Sequence, residues 1–364
     1  MKELVFKTSQ GEYKAFIGKD LFVKNEFNPI GGYISDKKVL VIYDENVPFA
    51  FVDNIKSALY RDGNDVFLHK FPSGEDNKNI DNLLSIASFA FGCGITRGDC
   101  IIAAGGGVTS DMAGFLASVY MRGIDYYCIP TTLLSAVDAC AGGKNGVDLP
   151  FGKNLLGTFY NPKAIFCDVS AFASLPEKEI KNALGECVKY SLISNGELWN
   201  YICELAEKFR INKAFSFLLN DVYGAQNLVF NCLSIKKNVV EADGFDRGER
   251  IVLNFGHTVG HAIEALSDYK LSHGECVAIG IVEELKASAK MGITSSDLAD
   301  KVASIFEAFG IETKNPFLLS DELAFIARDK KRKGNKILIP VIVSPLVYKI
   351  LSLDYNEFEE YLCR

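Results

Sequence analysis

Histidine is scarce in this chain: 364 residues carry four of them, along with one Trp, four Met and ten Pro. Long apolar runs are missing as well. Although 48% of the residues are hydrophobic, no run approaches the roughly 20 residues that a membrane span requires. The opening Met1-Lys2-Glu3-Leu4 alternates in charge and does not read as a secretory leader. The expectation is a cytoplasmic protein with no membrane partner. An excess of positive charge is also lacking, with 39 Lys and Arg against 46 Asp and Glu and a net charge of −7. That excludes a global pull toward nucleic acid, so any phosphate recognition must be built locally by a few placed cations. The ten cysteines contain no C-x-x-C pair and lie scattered in mostly apolar stretches, as buried thiols in a reducing compartment do, which argues against a disulfide framework.

What is present is a change of texture near residue 175. Before it, short apolar runs alternate with helical stretches: strands at 37–43, 65–68, 100–104, 126–130 and 164–168, and helices near 48–62 and 78–92. This is the pattern of a parallel sheet covered on both faces. After Leu175-Pro176, amphipathic stretches take over near 176–193, 196–209, 214–242, 256–267, 274–291 and 297–309, with one late hairpin at 336–341 and 347–350. The length suits two domains: an α/β domain over 1–175 and a mainly α-helical domain over 176–364.

Three groups of residues point to chemistry. Gly105-Gly106-Gly107 follows a strand and precedes Val108-Thr109-Ser110-Asp111, which has helical spacing. Glycines there let backbone approach a ligand, and the helix N-terminus offers N–H groups to a pyrophosphate. The spacing is not the G-x-G-x-x-G of the usual dinucleotide fingerprint, and a tight strand-to-helix turn uses the same residues. Asp44 ends the first parallel strand, where an acid can accept from ribose hydroxyls. Glu75 and Lys78 stand at another strand exit, and Thr131-Thr132 is either a helix cap or a nicotinamide contact.

The second group seeks anions. Arg122, Lys144, Lys153-Asn154, Lys236, Arg250 and Lys330-Lys331, with Asp138 among them, set cations near glycines in an acidic protein. Jointly they suit a phosphate or carboxylate pocket, although each alone is equally a surface charge.

The histidines form the third group, because three of the four fall within 17 residues. His257 and His261 stand at i and i+4 on one helical face, and His273 opens the next helix. Three imidazoles suit a catalytic zinc with one open position, and satisfied core or capping histidines are the alternative. Glu186, in a mostly apolar helix with Lys189 one turn on, is either a further ligand or half of an i,i+3 ion pair.

In order along nearly the whole chain, these motifs resemble the 3-dehydroquinate synthases. The resemblance rests on Gly74-Glu75, Gly105-Gly106-Gly107-Val108, Tyr120-Met121-Arg122-Gly123, Pro130-Thr131-Thr132-Leu133-Leu134, Gly142-Gly143-Lys144 and Gly152-Lys153-Asn154-Leu155. It continues through Glu186-Cys187-Val188-Lys189-Tyr190, Arg250, Asn254, the paired histidines, His273-Gly274-Glu275 and Asp329-Lys330-Lys331. It implies a Rossmann-like NAD-binding domain, a helical domain holding zinc or cobalt, an active site in the cleft between them, and a homodimer. Asp44, Glu75, Lys78, Gly105, Gly106, Gly107, Val108, Asp111, Thr131, Thr132, Lys144 and Lys153 are then the NAD residues. Glu186, His257 and His273 become the metal ligands, which moves His261 to an acid/base or substrate-side role. Asp138, Lys144, Lys189 and Arg250 join His261 in catalysis. Asn154, Lys236, Asn254 and one of Lys330 and Lys331 bind substrate, with Arg122 reaching the phosphate site of a neighbouring subunit.

The activity implied is conversion of 3-deoxy-D-arabino-heptulosonate 7-phosphate to 3-dehydroquinate and phosphate in the shikimate pathway, with no net oxidation. Rivals are the related cyclases of the 2-epi-5-epi-valiolone and 2-deoxy-scyllo-inosose synthase type, and a metal-dependent polyol dehydrogenase. A nucleotide-binding regulator would leave Glu186 and the histidines without a role. The chain departs from the family pattern at Thr109-Ser110, where Val-Gly is usual, at Gly185, where alanine is usual, and over 242–246, which lacks the usual Glu-Arg-Glu.

Overall fold

Runs such as Cys100–Gly105 and Ala164–Asp168 are buried at every residue, as strands covered on both faces must be. The structure, a computed structural model, describes residues 1–23, 28–193, 196–213, 215, 218, 221–246, 248–330 and 336–363, apart from the side chains of 328–330. Its strands are β1 (Lys2–Thr8), β2 (Gly11–Gly18), β3 (Lys38–Asp44), β4 (Asp65–Phe71), β5 (Cys100–Gly105), β6 (Asp125–Pro130), β7 (Lys144–Leu149), β8 (Gly152–Phe159), β9 (Ala164–Asp168), β10 (Ile337–Ser344) and β11 (Val347–Leu353). The helices are α1 (Phe49–Arg61), α2 (Ile80–Gly92), α3 (Gly107–Val119), α4 (Glu177–Ile193), α5 (Gly196–Asn212), α6 (Val222–Ala242), α7 (His257–Leu266), α8 (His273–Lys290), α9 (Ser296–Ala308), α10 (Leu319–Lys330) and α11 (Tyr355–Cys363).

Packing divides the chain into two compact units, Met1–Pro176 with Phe217–Phe245 and Glu177–Ser216 with Asp246–Arg364. The first holds a seven-stranded sheet in the order β1-β2-β9-β6-β5-β3-β4, parallel except for the β1–β2 hairpin. Val39, Val41, Ile102, Ile129 and Phe166 pack with Ile55 and Leu59 of α1 in its core. From β3 the chain runs outward to β4 and then returns to β5 on the other side of β3. The loops after β3 and β5 therefore part, and open α/β sheets take ligands at such a switch point. Asp44 ends β3 and Gly105 ends β5.

The sequence reading divides the chain once, near 175, whereas the structure returns residues 217–245 to the first unit. Helix α6 packs on β1, β2 and a π-helical turn at Ser135–Ala139, and amphipathic spacing alone does not say which unit a helix covers. The β1–β2 and β7–β8 hairpins and helices α10 and α11 lie outside the elements read from sequence. In β8 the apolar Leu155 and Leu156 are exposed, so no buried face marks the strand. In the second unit, Leu323, Ile326, Ile339, Val341, Phe358 and Tyr361 join α10, α11 and the β10–β11 hairpin in one core. Among the described residues, no helix is long and apolar enough to cross a membrane.

One buried carboxylate ties the sheet to its first hairpin. Asp168, closing β9, accepts hydrogen bonds from the backbone N–H groups of Asp20 at 2.9 Å, Leu21 at 2.7 Å and Ser170 at 3.0 Å. Hydrogen bonds to a charged group contribute about 1.5–3 kcal/mol each, and orphaned buried donors add their desolvation cost. Asp168→Ala is expected to lower unfolding free energy by about 3 kcal/mol in urea titration; a loss below about 1 kcal/mol would contradict this account.

Candidate active site

Three helices of the second unit approach one another through glycine. A Cβ on Gly280 of α8 would overlap the carbonyl oxygen of Gly256, the residue before α7. On Gly274 it would overlap the carbonyl oxygen of Asn182 in α4, and on Gly185 that of Gly274. With no side chains interposed, the backbones touch, and the residues beside these contacts face each other: Glu186 on α4, His257 opening α7 and His273 opening α8. Alanine at 185 would not fit here, so the departure from the usual residue matches the contact it makes. Helix α8 starts with a capping box in which Ser272 and Glu275 bond reciprocally.

The Glu186 side chain is fully buried, with Oε1 3.3 Å from His257 Nε2 and 3.2 Å from His273 Nε2, while Oε2 is ion-paired to Lys189. His257 Nδ1 lies 3.1 Å from the carbonyl oxygen of Phe255. That oxygen only accepts, so the proton sits on Nδ1 and Nε2 keeps its lone pair toward the cluster. His273 Nδ1 stands 3.6 Å from Glu264 Oε2, the carboxylate–histidine arrangement that orients metal ligands. Glu264 is absent from the sequence reading, though its place seven residues after His257 and three after His261 on α7 puts all three on one face.

Burial opposes ionisation of Glu186, but Lys189 and then His257 hold its carboxyl well below the usual range. His257 is lowered, by burial first and then by the Lys189 charge. His273 shifts the other way: burial would lower it, yet the hydrogen bond to Glu186 and the neighbouring Glu264 carboxylate raise it to about 9. The two rings share one oxygen and differ because His273 faces a second carboxylate, while His257 faces a carbonyl.

Among the described residues, two sets bring potential ligand atoms within 4.8 Å of one another: Glu186, His257 and His273, and His261, Glu264 and His273. The three imidazoles His257, His261 and His273 do not form such a set. The His261 ring centre is 5.2 Å from that of His257 and 6.1 Å from that of His273, and the residue is exposed. The first set fits a divalent ion best. Its carboxylate and two imidazoles suit zinc or cobalt, both imidazoles have their outer nitrogens engaged, and three protein ligands leave a position open.

In the first unit, α3 begins right after Gly106, with no side chain capping its N-terminus. Gly106 has φ −78°, so space and not backbone conformation explains it: a Cβ there would sit 3.3 Å from Thr132 Cγ2. Thr131 N–H donates to the carbonyl oxygen of Gly105 at 2.9 Å, and Thr132 Oγ1 accepts from Ser135 N–H at 3.1 Å, the capping role. Val108 and Asp111 lie in the first turns of α3. Lys78, only 4% exposed, reaches Asp111 Oδ2 and Asn154 Oδ1, each at 2.6 Å. Burial would lower the Lys78 ammonium, but Asp111 and then Glu75 outweigh it and raise it. Lys153 lies 3.7 Å from Glu75, and burial raises both Glu75 and Asp44. Lys236 on α6 donates at 2.7 Å to both the side chain and the backbone carbonyl of Asp138.

Lys144 opens β7 at the surface. Arg122 is exposed in the left-handed region, at φ +68°. Arg250, 3% exposed, and half-buried Asn254 share a 3-10 turn of the second unit. The Lys330 side chain and Lys331 lie outside the described residues.

Two family descriptions match consecutive stretches of the chain, 3-dehydroquinate synthase N-terminal over residues 68–182 and 3-dehydroquinate synthase C-terminal over 183–332. The chain is 37% identical over 361 residues to the 3-dehydroquinate synthase of Clostridium botulinum (strain Alaska E43 / Type E3), covering 98% of this chain and 99% of that one. Among solved structures it is similar to 2-deoxy-scyllo-inosose synthase complexed with carbaglucose-6-phosphate, NAD+ and Co2+, with a TM-score of 0.84 at 22% identity over 99% of both chains. It is also similar to the 2-epi-5-epi-valiolone synthase from Streptomyces hygroscopicus subsp. jinggangensis 5008 with NAD+ and Zn2+ bound, with a TM-score of 0.85 at 20% identity over 96% of both. These two likenesses concern the fold.

The raised His273 sets a pH dependence. Below about pH 9 the metal-free ring carries a proton, and a ligand nitrogen must lose it. Zinc uptake at pH 7 is therefore expected to release a proton. Apparent affinity should rise about tenfold per pH unit toward pH 9 and then level. Chelator competition from pH 6 to 9 measures this, and a flat profile would contradict it.

Proposed function

The chain belongs to the 3-dehydroquinate synthase family, and on that premise we propose that it converts 3-deoxy-D-arabino-heptulosonate 7-phosphate to 3-dehydroquinate and inorganic phosphate, using NAD and one zinc or cobalt ion. The observation that carries this reading is the Glu186–His257–His273 donor set, built on a buried carboxylate, which a protein binding only a nucleotide would not need. Glu186 Oε1 and the two Nε2 atoms would hold the ion. The glycine loop, Asp44 and the Glu75–Lys78–Asp111 cluster would receive NAD at the switch point. When bound, the two groups supply reversible hydride uptake and polarisation of a secondary hydroxyl.

The remaining work falls to side chains. Oxidation of one carbon acidifies its neighbour, so phosphate can leave by elimination; re-reduction, ring opening and an intramolecular aldol closure complete the carbocycle, and no NADH accumulates. Lys189, beside the metal carboxylate, places positive charge where a hydroxyl gives up its proton. His261, at the exposed end of the cluster, serves as the acid/base group. Lys236, held by Asp138, and Lys144 and Asn154 supply donors for substrate oxygens. Arg250 offers a planar donor fork that matches a carboxylate, with Asn254 on the same turn. We further assign Arg122 to the phosphate site of a second subunit in a homodimer.

Carboxylate recognition separates this substrate from the sugar phosphates of the related cyclases, which carry none. Arg250→Ala is expected to reduce kcat/KM for the heptulosonate phosphate by about 2–5 kcal/mol, the range for losing one member of a buried charge pair. Phosphate release with product identification measures it. Faster turnover of sedoheptulose 7-phosphate than of the heptulosonate by the wild type would place the enzyme with another cyclase. A persistent rise in NADH absorbance would mean a dehydrogenase.

The glycine loop gives a separate test of the cofactor. Gly106→Val adds bulk toward Thr132 and into the approach to the α3 N-terminus without demanding a forbidden backbone conformation, so NAD affinity should fall at least about tenfold while the fold survives. Calorimetry with NAD decides it, and unchanged affinity would reduce the loop to a turn.

A further inference from the structure

The carboxylate of Glu284 has no part in the chemistry above, yet it is fully buried in the middle of α8. Its Oε2 accepts a hydrogen bond from the backbone N–H of Gly256 at 2.9 Å. Gly256 is the N-cap of α7, stands in the left-handed region at φ +76°, and has no side chain with which to cap. Its backbone is pressed into α8, where a Cβ would lie 2.9 Å from Ile281 N and 3.0 Å from Val277 O. A neighbouring helix thus supplies the anion that a helix N-terminus favours.

The peptide unit that Glu284 grips is the one between Phe255 and Gly256. The carbonyl oxygen of that same unit accepts the Nδ1 proton of His257 at 3.1 Å. A continuous path therefore runs from the Glu284 carboxylate, through one N–H and one C=O, to the outer nitrogen of His257, whose Nε2 faces Glu186 at 3.3 Å. Hydrogen bonding an amide N–H to an anion polarises its carbonyl and makes it a stronger acceptor. A stronger acceptor at Nδ1 fixes the tautomer and makes Nε2 a better donor to a metal.

We propose that Glu284 is a positioning residue for the metal centre, acting on His257 through the Phe255–Gly256 peptide as Glu264 acts directly on His273. Each imidazole is then backed by its own carboxylate, one in contact and one relayed. This rests on the metal centre proposed above. Direct orienting partners contribute 10–100-fold in metal affinity, and relay through a peptide places Glu284 near the lower end, at about tenfold.

The test compares wild type, Glu284→Gln and Glu264→Gln by zinc affinity from chelator competition, with thermal unfolding of the metal-free proteins alongside. Gln keeps the size and an acceptor oxygen but not the charge, so a purely structural cap survives the change and a relayed charge does not. The expected result is about tenfold weaker zinc binding in Glu284→Gln, a loss that the metal-free unfolding midpoint does not track. Wild-type affinity in that variant would overturn the role of Glu284 and leave the metal centre standing, whereas failure of the wild type to bind zinc would remove both. A readout independent of any variant is the imidazole 15N spectrum of the zinc-loaded wild type. His257 must carry its proton on Nδ1 and zinc on Nε2, and the reverse assignment overturns the proposal even if Glu284→Gln does not fold.

Discussion

The Glu186–His257–His273 cluster depends on backbone-to-backbone contact. Helices α4, α7 and α8 cross where Gly185, Gly256, Gly274 and Gly280 remove the side chains that would keep them apart. Ordinary helix packing leaves 8–10 Å between axes because side chains fill the gap. Closing it costs apolar burial at those positions, since glycine has nothing to bury and loses more conformational entropy on folding than alanine. In return the first residues of two helices and the middle of a third converge, so that one carboxylate oxygen lies within 3.3 Å of two imidazoles.

Such convergence creates an electrostatic problem that Lys189 and the His273 proton solve. A fully buried carboxylate is rarely tolerated without compensation. Here Lys189 pairs with one oxygen, and His273, raised to about 9, donates to the other. Glu186 is thereby compensated in place by Lys189 and the His273 proton. The second layer continues the logic: Glu264 faces His273, and the Phe255 carbonyl faces His257.

Much of this was legible in the sequence, for physical reasons. Strands β3, β5, β6 and β9 are buried on both faces, so they read as continuous apolar runs, and the glycine loop stands out between a strand and a helix. The histidines stand out because there are so few. Spacing alone favours three imidazoles, and only the resemblance puts Glu186 in place of His261; Glu186 comes within 4.8 Å of His257 and His273 because α4 reaches the cluster through contacts far apart in sequence. What stayed hidden was of the same kind. The membership of α6 in the first unit, the partner of Gly185, and the carboxylates Glu264 and Glu284 all depend on which helix lies against which. The β7–β8 hairpin was unreadable because Leu155 and Leu156 are exposed, which leaves β8 without a buried apolar face.

The central claim is that one carboxylate and two imidazoles, brought together by the glycine contacts, form the inner shell of a single metal ion. Zinc K-edge X-ray absorption of the singly loaded protein tests it most directly, because multiple scattering counts imidazoles and the first shell resolves oxygen and nitrogen at about 2.0–2.2 Å. The account predicts two imidazoles and a carboxylate oxygen. Three imidazoles, with His261 drawn into the shell, would contradict it.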